Sequence, residues 1–63
     1  MGNFIEIMHS NSLTTVYGHL SAIYVKEGAF VRQGRIIGAV GKTGNARGSL
    51  IKPHLHFEVR IND

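Results

Sequence analysis

Apolar and polar residues alternate at both ends of the chain, and glycines break up the stretch between them. Phe4-Ile5-Glu6-Ile7-Met8-His9 reads as a strand, and Ser10-Asn11-Ser12 as the polar turn that follows it. Leu13 to Leu20 reads as the hairpin partner. Strict alternation places Tyr17 and His19 on one face of it, with Val16, Gly18 and Leu20 on the other. Gly18 has no side chain and lets a neighbouring strand approach closely. Short strands punctuated by glycine come next: Ala22 to Val25, a turn at Glu27-Gly28, Ala29 to Val31, a turn at Gln33-Gly34, and Ile36 to Val40. Lys42 to Lys52 carries glycine, polar and cationic residues without an apolar period, which predicts an exposed loop. Alternation resumes at Pro53-His54-Leu55-His56-Phe57-Glu58-Val59, putting His54, His56 and Glu58 on one face and Leu55, Phe57 and Val59 on the other. No helix of ordinary length fits between the glycines. The pattern predicts an all-β fold, a small sandwich or partly open barrel of short antiparallel strands.

Length limits what such a fold can bury. A chain of 63 residues hides only ~60% of the surface it exposes when unfolded, and with no cysteine there is no disulfide to compensate. The missing cysteines leave the redox compartment undecided. Seven Lys and Arg against four Asp and Glu give a net charge of +3, spread along the chain rather than clustered. This balance suits an anionic polymer, but ordinary solubility is the plainer reading, and no specific nucleic-acid partner is expected. No stretch is long and apolar enough for a transmembrane segment, and no charged-then-apolar leader is present. Met1-Gly2 does not begin a myristoylation signal, since Glu6 stands where that motif requires Ser or Thr, and Met1 reads as a start codon.

Candidate chemistry is concentrated in the histidines. On a strand, His54 and His56 lie roughly 6–7 Å apart on one face, and neutral imidazole can act near pH 7 as a metal ligand or as a general base. For His-x-His alone, the better reading is a half-exposed strand that happens to carry two histidines. Glu58, on the same face, can orient an imidazole, although pairing with a basic residue is its more ordinary fate. His9 reads as an exposed histidine flanking a turn, and Tyr17 as an aromatic packing across the sheet. Gly41-Lys42-Thr43 imitates the end of a phosphate-binding loop, but Ile36 stands where that motif needs glycine.

The wider context changes the weight of the histidines. Val16-Tyr17-Gly18-His19-Leu20-Ser21, then Val25 to Gly41, then Thr43-Gly44-Asn45, then Pro53-His54-Leu55-His56-Phe57-Glu58-Val59, taken in this order, resemble the C-terminal part of lysostaphin-type zinc endopeptidases. Those enzymes cut peptide cross-links in bacterial peptidoglycan. The resemblance runs from about Asn3 to Asn62. It implies a single truncated peptidase domain over residues 1–63, of the duplicated-hybrid or barrel-sandwich architecture with its N-terminal strands missing. The run from Val25 to Val40 also resembles biotinyl and lipoyl carrier domains. However, neither Lys26 nor Lys42 has the neighbours of a carrier lysine, so that likeness reports shared architecture.

By the lysostaphin-type resemblance, His56 is a zinc ligand, His54 the base that deprotonates water, and His19 the second catalytic histidine, stabilising or protonating the tetrahedral intermediate. Tyr17, Asn45 and Arg47 are then expected to contact substrate, with Arg47 to Lys52 a short insertion beside the groove; solvated loop charge is the plainer role for Arg47. The family's His-x-x-x-Asp segment, which supplies the other two zinc ligands, has no counterpart: four residues after His9 stands Leu13, and the only aspartate is Asp63. Zinc is therefore expected in the complete domain and to be weak or absent in this chain alone. The expected partner is peptidoglycan peptide, and the expected location of the full-length protein is extracellular, periplasmic or associated with the cell wall. A non-catalytic wall-binding or regulatory module and a self-assembling fragment remain as alternatives. An apolar first strand, Phe4 to Met8, predicts a homodimer or higher oligomer paired through that edge.

Overall fold

The structure is a computed structural model and describes residues 2–41 and 53–62. The fold is all-β, as the alternation predicts. Four antiparallel strands, β1 (Asn3–Met8), β2 (Leu13–Ile23), β3 (Gly38–Val40) and β4 (His56–Ile61), form one open sheet. Strand β2 organises it. One edge of β2 pairs with β1, and the other pairs first with β4, through Leu13↔Ile61 to Gly18↔His56, and then with β3, through Leu20↔Val40 to Ile23↔Gly38. The β1–β2 hairpin closes where the His9 amide donates to the Leu13 carbonyl at 2.9 Å, and the Asn62 amide ties the end of β4 to Ser12 O at 2.8 Å.

Four strand expectations need correction. Ala22 to Val25 is not a separate strand, because β2 continues through Ile23 across two register shifts. Ala29 to Val31 is not a strand either. It is caught between two tight turns, in which Ala29 N donates to Lys26 O and Arg35 N to Arg32 O, and Gly28 and Gly34 carry the positive φ (89° and 90°) that the third position of a type II turn demands. Residues 25–36 leave the sheet as one excursion, closed by Tyr24 N donating to Ile37 O at 2.8 Å, so only Gly38–Val40 remains of the strand expected from Ile36. At the C-terminal end the strand begins at His56 instead of Pro53, which leaves His54 in irregular backbone just ahead of it.

Burial is concentrated on β2, the strand flanked on both edges. Val16 (1% exposed) and Leu20 form the apolar core, with Thr15 the one buried polar residue among those described. Register sorts the side chains of β2 and β4 into two faces. Leu13, Thr15 and Tyr17 stand with Phe57, Val59 and Ile61, and the Tyr17 and Phe57 rings lie 5.4 Å apart. Thr14, Val16 and Gly18 stand with His56, Glu58 and Arg60. On the first face the Thr15 hydroxyl donates to the Tyr17 hydroxyl at 3.0 Å and lies 2.7 Å from His9 Nε2, so its oxygen accepts the His9 N–H. His9 is exposed, as expected, and also pins the hairpin turn to the core.

Because the His9–Thr15–Tyr17 chain runs through one hydroxyl, Thr15→Val should cost about 1–2 kcal/mol in urea unfolding, and His9→Ala should be nearly neutral once that hydroxyl is gone. Additive losses in the double variant would show that the two groups are not coupled.

Candidate active site

His19 sits where β2 passes from β4 to β3. Between Tyr17↔Ile5 and Leu20↔Asn3, β2 advances three residues while β1 advances two, so Gly18–His19 holds an extra residue. His19 takes it up with φ of 61°, the one left-handed non-glycine backbone among the described residues. Such a conformation costs about 1–3 kcal/mol and persists only where its surroundings impose it. Its effect here is to change the face of the imidazole. Gly18 pairs with His56, so regular alternation would turn His19 away from His56 and toward the Tyr17 side. Instead, the His19 ring lies 5.8 Å from that of His56 and 4.8 Å from that of His54. Tyr17 and His19, expected on one face, are on opposite sides of the sheet.

Neighbouring groups define the cluster further. Gly18 puts no side chain beside His56, which leaves room for the rings. The His19 carbonyl accepts the Gly41 amide at 3.3 Å, anchoring the bulge to the end of β3. His19 Nδ1 is buried and has no hydrogen-bond partner. Desolvation first, and then the neighbouring charges of His54 and, more weakly, His56, lower the His19 pKa below its ordinary value of 6.5. His56 Nε2 lies 2.8 Å from Glu58 Oε2, and Arg60 Nε donates to Glu58 Oε1 at 3.3 Å. These two bonds, that to His56 first, lower the Glu58 pKa.

Of the expected site residues, His19, His54 and His56 are brought together. Tyr17 is not: it stands on the other face against Phe57, with its hydroxyl engaged by Thr15. Asn45 and Arg47 lie outside the described residues. Sequence reading did not foresee Arg60, which holds Glu58 from two residues further along β4; its i, i+2 spacing on one strand face was the available signal.

The whole chain, residues 1–63, matches the sequence model of peptidase family M23. The chain belongs to that family. Among its relatives are the DD-carboxypeptidase/endopeptidase Mpg of Neisseria meningitidis serogroup B, 51% identical over 61 residues, and the peptidoglycan DD-endopeptidase ShyC of Vibrio cholerae, 46% identical over 61. Each alignment covers 97% of this chain and 13% of the relative. The cell division protein DipM of Caulobacter vibrioides is 41% identical over 59 residues, 94% of this chain and 9% of its own length. This chain therefore spans only a small part of each. No solved structure matches it.

Family membership raises the question of a metal. His56 has the environment of a ligand, since metal-binding histidines almost always give their other ring N–H to an acceptor, as His56 can to Glu58. Zinc centres, however, require three protein ligands, and no group of three histidine, cysteine, aspartate or glutamate side chains placed to hold a metal occurs among the described residues. The described residues do not by themselves form such a centre.

Two measurements test the geometry. His19→Gly should be more stable than His19→Ala by about 1 kcal/mol or more, because glycine adopts positive φ without the Cβ penalty; an alanine variant of equal or greater stability would show that the backbone is not left-handed. Acid should weaken the fold in two stages. An unfolded His19 takes up its proton near 6.5 and the folded one only at lower pH, so stability falls as pH drops from 6.5 through the folded value. Glu58 adds a second loss as pH falls from its unfolded value of 4.5 through its lower folded value. Unfolding curves between pH about 3 and 8 should show both, and His19→Asn should remove only the first.

Proposed function

We propose that this chain is the C-terminal part of a peptidoglycan endopeptidase domain whose proton-handling histidines are His54 and His19. The observation that carries the reading is the convergence of His19, from a left-handed bulge, with His54 and His56. The relatives named as peptidoglycan DD-endopeptidases support the substrate class, peptide cross-links of the cell wall. They also support a location in the cell envelope for the full-length protein.

In this reading His54 accepts the proton of the attacking water as its oxygen reaches the scissile carbonyl. His19, kept neutral by desolvation, donates an N–H hydrogen bond to the oxyanion rather than a full proton. Bound zinc would supply Lewis acidity, polarising the carbonyl and lowering the pKa of a coordinated water to about 7. His56 would be its ligand from this chain, and the other two ligands would have to be supplied by residues other than those described.

A protein extended upstream through a His-x-x-x-Asp segment should release peptide from peptidoglycan. His54→Ala or His19→Ala should lower its rate by about 10²–10⁴-fold, and the 63-residue chain should release none and retain no stoichiometric zinc after dialysis. Chelator-sensitive cleavage by the short chain, or full activity of extended His54→Ala, would overturn the reading. Wall binding without cleavage by either protein would favour a non-catalytic module.

The first strand supports a second proposal, self-association. Among the described residues β1 pairs only with β2, and Phe4 and Met8 on it are exposed, so its outer edge and apolar side chains suit pairing with another copy. Sedimentation across a hundredfold dilution should show a dimer or larger species that Ile5→Lys disrupts. A folded monomer at every concentration would refute it.

A further inference from the structure

His56, Glu58 and Arg60 alternate along β4 and project from one face. The residues opposite them on β2 are Gly18, Val16 and Thr14, none of them charged. With no charge opposite, the three side chains meet one another along the strand: His56 Nε2 lies 2.8 Å from Glu58 Oε2, and Arg60 Nε donates to Glu58 Oε1 at 3.3 Å. An ionised carboxylate can only accept, so the proton in the first of these bonds belongs to His56 Nε2. In the neutral ring Nδ1 is then unprotonated and keeps its lone pair. Glutamate χ3 is broad and roughly twofold, so a carboxylate bonded on one side only would turn readily. Arg60 takes the second oxygen and removes that freedom.

We propose that Glu58, braced by Arg60, is a positioning residue that fixes His56 as its Nε2–H tautomer and presents Nδ1 as the basic nitrogen. The catalytic meaning of this rests on the histidine-centred reading above, but the geometry does not. On a metal ligand, such an arrangement fixes which nitrogen coordinates and raises its basicity. Glu58 and Arg60 then act on the reaction through His56 without touching substrate.

The test is a ring-nitrogen NMR measurement on the metal-free 63-residue chain above pH about 8, where imidazoles are neutral. The reference is the same chain unfolded in urea. Folded His56 should show a single Nε2–H form where the unfolded chain shows a mixture. Glu58→Gln, whose amide oxygen still accepts, should keep the single form, Glu58→Leu should restore the mixture, and Arg60→Leu should fall between. A folded His56 as mixed as the unfolded one, or a folded Glu58→Leu with its single tautomer intact, would overturn the proposal. If Glu58→Leu does not fold, the wild-type comparison and Arg60→Leu decide: a single form loosened by Arg60→Leu supports it, and one indifferent to Arg60→Leu refutes the brace. No substrate is involved, so a failed peptidoglycan assay would leave a positive result standing, and a mixed tautomer would leave the hydrolase reading standing.

Discussion

Strand β2 has two edges and three partners, and the site depends on how it passes one edge from β4 to β3. The β4 ladder runs without a break to Gly18↔His56, and the β3 ladder begins at Leu20↔Val40. His19 is the residue between them, and it must absorb the extra position that β2 carries against β1. A left-handed backbone at this point accommodates the extra residue against β1, and a second register shift follows between Leu20 and Ala22 in the β3 ladder. The left-handed backbone also turns an imidazole from the Tyr17 side to the His56 side. The strain and the chemistry share a cause: the conformation that accommodates the extra residue is the one that assembles the histidines.

Around that junction the protein is thin. Among the described residues Val16 and Leu20 are the buried apolar side chains, while Phe30 is 96% exposed and Phe57 53%. With so few buried side chains among the described residues, the two ladders on β2 and side-chain pins such as His9–Thr15–Tyr17 add to the order of the sheet. The polar groups of the site are held in the same local way. Glu58 and Arg60 grip His56 along one strand, and Gly41 ties the His19 carbonyl to the end of β3.

Much of this was legible in the residues. The terminal alternations gave β1, most of β2 and β4, and glycine chemistry located the turns at Gly28 and Gly34, because both features act over a few neighbouring residues. What depended on distant partners was not legible. Alternation cannot show a bulge, so Tyr17 and His19 were placed on one face. Phe30 and Val31 read as a strand because their side chains suit one, yet two closed turns leave no strand beside them. His54 was expected on β4, and its ring reaches His19 from irregular backbone instead. Motif order identified the histidines that meet, while the device that lets them meet is a register mismatch between ladders.

The most direct test of that device is a map of ring-proton NOEs from His19 in the folded chain. A left-handed bulge predicts cross-peaks from the His19 ring to the rings of both His54 and His56, and none to Tyr17 or Phe57. Contacts from His19 to Tyr17 and Phe57, with none to His56, would mean that β2 alternates regularly through His19 and that the three histidines do not form one site.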